Sequence, residues 1–452
     1  MFLGIITLCL TIIVLFFTFF SLRGTILDIR FPAQNPWPLF WYLELALILV
    51  PLNLISFLGL DNVQAIFVKD ESVILSVNLW TLSSLLILSI TLAFLMQLLG
   101  LKLDVIRIPK EFSNSLIKKL NIFSLSLTLF GIMLLLAFYN LGYKHAFLSA
   151  LIEGKSLLHV RLFNKYFSKV PSQLASLLPL IGYLLAATSG YLSRIKFTKG
   201  LIYFLVALIF LSADGGKAPI VRGILVWCCS KSFLLPQRLF SFKFVKFFLL
   251  VFFSLAVLYY VASLQIPNLN LELYLKYLFN RAGVGQMAGT FETFALAKTG
   301  SLPQGEFYWH IIPGARLFVN YIDFQKALMM SVEGYDYTSM GVKNTYFIAE
   351  AYAMGGPILA ILSPFIVALS LSVSLFLLTK IFEKFFSRPI GVSLAFVCWS
   401  QCFSPTGGFS SFPFFKGLVL VLIHLAIIFV WYIFFRGIYL LSLPRDIAIE
   451  KR

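Results

Sequence analysis

The residues best equipped for acid–base chemistry gather in one stretch, residues 265–352, the only long segment that is not mostly hydrocarbon. Glu306 and His310 stand four apart there, a spacing that puts both on one face of a helix. Pro303 and Pro313 bracket them and keep such a helix short. Glu350 closes the stretch. Each of the three can act as a general base, and each alone also occurs as an ordinary structural hydrogen-bonding residue. Fixed cations accompany them: Arg281 and Arg316 in the same stretch, Lys217 in S-A-D-G-G-K, and Arg161 in K-S-L-L-H-V-R-L-F. Cations set among glycines and aromatics are suited to holding phosphate groups. Snorkelling to an interface with an Asp214 partner explains Lys217 equally well, and a membrane-resting amphipathic helix explains the segment around Arg161. The glycines after Arg281 are not a dinucleotide fingerprint, because no βαβ unit surrounds them.

The elements that must position these groups are apolar. The 452 residues are 60% hydrophobic and 12% charged, with a mean hydropathy of +0.92. Soluble domains average about 25% charged residues. The fold class is therefore all-α, a polytopic transmembrane helical bundle forming a single integral membrane domain over 1–452. The continuous runs exclude a transmembrane β-barrel, whose segments alternate. About eleven spans are predicted: 3–20, 37–58, 73–99, 122–141, 174–192, 201–213, 219–229, 247–262, 353–378, 390–403 and 418–435. Residues 1–20 lack a basic n-region and a cleavage site, so the first run is expected to stay as a span.

Residues 201–229 are interrupted by Asp214-Gly215-Gly216-Lys217, and read either as one broken span or as a hairpin. Charge decides. With the N-terminus outside and a hairpin here, 21 of the 36 basic residues fall in the inner connections and the C-terminal tail, as the positive-inside rule requires. Two outer segments then stand out, a shorter loop at 143–171 and the long loop at 265–352, expected to contain short helices. The shorter loop is basic, and the long loop carries six Lys and Arg among seven Asp and Glu, on the side where basic residues are disfavoured, which points to an anionic partner. The net charge of +17 is thus accounted for by topology and lipid head groups, and no nucleic acid is expected. Five cysteines all lie in or beside apolar runs, with no metal-ligand spacing and no disulfide framework. No metal or cofactor is called for. The Tyr and Trp residues of the long loop form either an interfacial belt or a stacking floor for sugars. His424 reads as an interhelical hydrogen-bonder.

At N-T-Y-F-I-A-E-A-Y-A-M-G-G, residues 344–356, a long outer loop re-enters the membrane through an E-x-Y-x-x-G-G turn. This organisation resembles the Wzy-type O-antigen polymerases, the oligosaccharide repeat-unit polymerases. The S-A-D-G-G-K tip resembles that family's Gly-rich hairpin, with Lys217 where Arg is more usual. The resemblance implies a multi-pass bacterial inner-membrane glycosyltransferase with a periplasmic N-terminus and a cytoplasmic C-terminus. It would transfer a glycan from undecaprenyl diphosphate to the next lipid-linked repeat unit, as in O-antigen or capsule synthesis. A membrane protein that regulates chain length is an implied further partner. Arg281, Lys217, Arg161 and Arg316 would hold the diphosphate, and Glu350, Glu306 or His310 would take the acceptor proton, the site lying between the two outer loops and the Lys217 tip. A lipid-linked oligosaccharide flippase and an O-antigen ligase are the alternatives. A flippase should carry its cations within the spans, and a ligase should share the long outer loop.

Overall fold

The computed structural model describes residues 2–30, 35–102, 114–153, 157–232, 270, 272–273, 276, 279–312, 314–315, 318–334, 344–402 and 408–441. Among these the chain is almost entirely helical, 81% with no strand. Seven helices are long and apolar enough to cross a membrane: Phe2–Ser21, Pro38–Leu58, Glu71–Leu98, Asn114–Asn140, Ser172–Ile195, Phe347–Glu383 and Pro413–Tyr439. Three further predicted spans coincide with shorter helices, Phe197–Ser212, Lys217–Ser232 and Arg388–Cys402. The predicted span at 247–262 lies outside the described residues.

The chain divides into two compact units. The first comprises residues 1–106, 266–378 and 402–419, and the second residues 107–265, 379–401 and 420–452.

In the first unit the helix α1 (Phe2–Ser21) packs on both α2 (Pro38–Leu58) and α3 (Ile74–Leu98). Lipid tails are as apolar as leucine, so association between such helices leans on close packing and interhelical hydrogen bonds. Asn78 supplies two, donating through Nδ2 to Thr7 Oγ1 at 2.7 Å and to Ser56 Oγ at 2.8 Å. Thr18 donates to Ser89 at 2.9 Å, and Asn53 to Thr11 at 2.9 Å. Each is worth on the order of 0.6 kcal/mol in a membrane. The buried Glu292 accepts from the Phe67 N–H at 2.8 Å, tying the helix Ala288–Lys298 to the connection between α2 and α3.

In the second unit α4 (Asn114–Asn140), two short helices α5 (Ala146–Glu153) and α6 (Leu157–Phe167), α7 (Ser172–Ala175), α8 (Leu177–Ile195), α9 (Phe197–Ser212) and α10 (Lys217–Ser232) follow in order. The helix α8 is the most enclosed of the span-length helices, with 78% of its apolar window buried. Small residues allow that approach. A Cβ on Gly190 would stand 2.5 Å from the Trp227 carbonyl, and one on Gly182 would stand 2.7 Å from Leu211 Cγ. The helices α9 and α10 pack on α8 and on each other, separated by a turn in which Gly215 takes φ +73°. That is a hairpin of two helices. His424 donates its Nε2–H to the Gln173 carbonyl at 2.9 Å, an interhelical hydrogen bond.

Candidate functional site

In the first unit, the span Phe347–Glu383 is broken near its start. Pro357 has no N–H and its ring opposes the carbonyl four residues earlier, so the preceding turn cannot continue. Gly355 and Gly356 absorb the break, Gly356 at φ 64°, ψ −160°, a region essentially closed to other residues. Glu350 sits in the short helical piece before this break, with its side chain 1% exposed. A carboxylate buried this deeply costs several kcal/mol unless neighbouring groups compensate it.

The compensation around Glu350 is incomplete. Its Oε2 accepts from the Ser410 N–H at 3.2 Å. Gly408, at φ 87°, lets the chain pass so close that a Cβ there would stand 2.1 Å from Oε2. Its Oε1 has no hydrogen-bond partner among the described residues and faces His310 Nδ1, itself unpartnered there, at 3.9 Å. The other ring nitrogen, Nε2, lies 3.4 Å from Asp323 Oδ1. His310 belongs to a short 3-10 helix, Phe307–Ile311, and Asp323 stands immediately before the helix Phe324–Glu333. Phe307, Phe324 and Leu328 form the small apolar core that sets these two pieces against each other. Lys416 donates to the His310 carbonyl, and Gln325 donates to Thr345 Oγ1 at 3.0 Å. An imidazole between two carboxylates can accept, hold and pass a proton. Among the described residues no three His, Cys, Asp or Glu side chains are placed to hold a metal ion.

In the second unit, the turn at residues 213–216 leads into the N-terminus of α10. Arg161 on α6 lies against it, since a Cβ on Gly215 would meet Ala146 Cβ at 2.8 Å and the Arg161 side chain at 3.4 Å. The Ala146 N–H donates to the Ala213 carbonyl at 2.8 Å, fastening the two pieces. Beside them Tyr143 is 5% exposed, and its hydroxyl has no partner among the described residues. Burial first, then the Asp214 charge, pushes the Tyr143 phenol up, while Arg161 works the other way. Asp214 keeps accessible surface, yet the chain packed around the turn desolvates its carboxyl and raises it above the ordinary carboxylate value, with Arg161 opposing. Helix N-terminal N–H groups, an arginine and a buried hydroxyl are donors of the kinds that hold anions, and here the Asp214 carboxylate stands among them.

The predicted site residues separate as follows. His310 and Glu350 come together; Glu306 does not join them, its carboxylate instead accepting from Trp309 Nε1 at 2.7 Å. Its i, i+4 relation to His310 is set by a 3-10 turn rather than an α-helix. Arg161 meets the Gly215 turn that carries Lys217. The side chains of Lys217 and Arg281, and the whole of Arg316, lie outside the described residues. Asp323, Gly408, Ser410 and Tyr143 are additions that spacing did not single out. Asp323 is 13 residues from His310 and Ser410 is 60 from Glu350, so only packing brings them together. No protein-family profile matches the chain, and no curated protein or solved structure is found similar to it.

Proposed function

We propose that this chain is a bacterial inner-membrane polysaccharide polymerase, a glycosyltransferase that joins oligosaccharide repeat units carried on undecaprenyl diphosphate. The observation that carries this reading is the gathering of Arg161, the Gly215 turn, the α10 N-terminus and the buried Tyr143 hydroxyl, donors suited to a phosphate group. A departing lipid diphosphate builds negative charge, which preoriented donors in a poorly hydrated site stabilise. The buried Glu350–His310–Asp323 set supports the other half of the reaction, removal of the acceptor hydroxyl's proton. Lys217, Arg281 and Arg316 are further candidates for phosphate contacts on charge and position in the sequence. Both loops, 143–171 and 265–352, are then periplasmic, as is the N-terminus, with the C-terminus cytoplasmic. The partners are the lipid-linked oligosaccharide, membrane lipids and a chain-length-regulating membrane protein.

The test is complementation of a strain lacking its own polymerase, with the polysaccharide read on a gel. The intact chain should restore long polymer, and Arg161→Ala and Arg281→Ala should leave single repeat units capped on lipid A. In cells that normally make this protein, its loss should leave one repeat unit capped on lipid A; repeat units stranded on the cytoplasmic face on its loss would instead identify a flippase, and finished polymer retained on its carrier a ligase. Long polymer from both arginine variants would overturn the site.

A further inference from the structure

In the second unit, the segment that joins α4 to α7 and α8 is fastened to the ends of two helices that can cross a membrane. Asn114–Asn140 and Ser172–Ile195 both have the length and apolar content to cross. Where they end and begin, the Lys169 N–H donates to the Leu141 carbonyl at 3.0 Å. Asn164 holds the Lys144 backbone twice, donating to its carbonyl at 2.7 Å and accepting from its N–H at 2.8 Å. Between these ties lie α5 and α6, of 8 and 11 residues. A crossing helix needs about 20 residues, so neither crosses. Tied at the mouth of two spans, they stand at the depth of the lipid head groups.

The surface these two helices leave uncovered is both apolar and cationic. On α6 the buried side chains are Val160 and Asn164, one turn apart. Arg161 and Lys165 follow them by one residue, about 100° round the helix, and are exposed. Leu148, Ile152 and Phe167 are 48%, 82% and 73% exposed. Residues 143–171 hold five Lys and Arg and a single acidic residue, Glu153, which Lys144 engages at 3.2 Å. Lys165 and Lys169 are exposed with no acidic partner among the described residues. Water would solvate these lysines but not the hydrocarbon beside them, and lipid tails would do the reverse. A leaflet bearing acidic head groups takes both. We propose that α5 and α6 lie on the membrane as an amphipathic hairpin that docks on acidic phospholipid. Leu148, Ile152 and Phe167 enter the acyl boundary, and Lys165 and Lys169 pair with the head-group phosphates. The inference goes beyond the polymerase reading and does not rest on it. The same hairpin carries Arg161 to the Gly215 turn, where the Ala146 N–H fastens it, so the lipid surface also fixes where that arginine sits.

The experiment places the purified full-length protein in vesicles of phosphatidylcholine alone, or of phosphatidylcholine and phosphatidylglycerol in equal parts. A nitroxide is attached to Ile152→Cys or Phe167→Cys in a Cys9→Ser background, since Cys9 is exposed and the other four cysteines are buried. Leu136→Cys, exposed on α4, serves as the hydrocarbon reference. In the mixed vesicles the labels at 152 and 167 should collide more with oxygen than with a water-soluble nickel chelate, at a depth about 5–10 Å below the head-group boundary. In phosphatidylcholine alone they should sit shallower. The double variant Lys165→Glu/Lys169→Glu, at exposed positions, should keep the wild-type thermal transition and return the labels in mixed vesicles to the shallower depth. Labels at both positions that collide more with the nickel chelate would mark a face open to water, suited to a glycan or a protein, and overturn the inference. A depth equal in the two compositions, or unaltered by the double variant, overturns it as well. Restoration of long polymer in the complementation assay decides the polymerase reading separately, and neither result moves the other.

Discussion

Gly408→Ala should be among the most damaging single-methyl substitutions in the first unit, for two separable reasons. Gly408 adopts φ 87°, ψ 161°, a conformation essentially restricted to glycine. Forcing an L-residue into it costs about 1–3 kcal/mol. The new Cβ would also stand 2.1 Å from Glu350 Oε2 and 3.0 Å from Gln325 Nε2. The Gln325 amide is the end of a flexible side chain and can yield. The carboxylate is buried and must move off the Ser410 N–H, forfeiting a charged hydrogen bond worth about 1.5–3 kcal/mol. The sum is roughly 2.5–6 kcal/mol if the two costs add.

Gly334 is the control. It sits at φ 65°, ψ 17° with nothing within 4 Å of its Cβ position, so Gly334→Ala should cost only about 1–2 kcal/mol. Unfolding of the purified chain in mixed micelles with increasing SDS would measure both glycine variants. In a Glu350→Ala background the steric part should vanish, and Gly408→Ala should become milder by about 1.5–3 kcal/mol. A cost no larger than that of Gly334→Ala, or the same cost with and without Glu350 to within about 0.5 kcal/mol, would refute the claim that this turn is fitted to the carboxylate.

Gly190→Ala should destabilise by about 1–3 kcal/mol despite alanine's better helix propensity, because the methyl would meet the Trp227 carbonyl at 2.5 Å and Ser230 Cβ at 2.6 Å; the same SDS titration reads it. Tyr143→Phe should leave the fold intact and weaken undecaprenyl diphosphate binding by roughly 0.5–1.5 kcal/mol, the worth of one hydrogen bond, in a thermal-shift titration. Asp28 gives a pH dependence. Desolvation acts to raise its carboxyl, but hydrogen bonds from Arg30 and the Gly24 N–H, together with the Arg30 charge, outweigh it and hold the pKa below the ordinary 3.8. Stability from this group is therefore present above pH 3.8 and lost as pH falls through the lowered value, so Asp28→Asn should be less stable than wild type at neutral pH, with the difference closing in acid, as followed by thermal unfolding.

Much of the framework is legible in the sequence because the membrane imposes a one-dimensional constraint. Every backbone polar group in hydrocarbon must be satisfied within its own helix, so continuous apolar runs give helices at positions such as Phe2–Ser21 and Pro38–Leu58 with little ambiguity. The Gly215 turn and the break at Gly355-Gly356-Pro357 are equally readable, since glycine's backbone freedom and proline's missing N–H act locally. The candidate residues His310, Glu350 and Arg161 were also visible by type, as polar groups where apolar ones were expected.

Their partners were not. Helical spacing paired His310 with Glu306, but the chain between Pro303 and Pro313 takes a 3-10 turn and Glu306 turns to Trp309. Asp323 and Ser410 reach the site only through the packing of Phe307 on Phe324 and of the turn at 409–411 on that at 307–311. The sequence alone determined that this chain lies in a membrane, and which of its few polar side chains stand where burial is costly. Only the tertiary structure decided that His310 faces two carboxylates and that Arg161 meets a glycine turn, because contacts between residues 13 to 60 positions apart depend on how whole helices pack, and no local pattern encodes that.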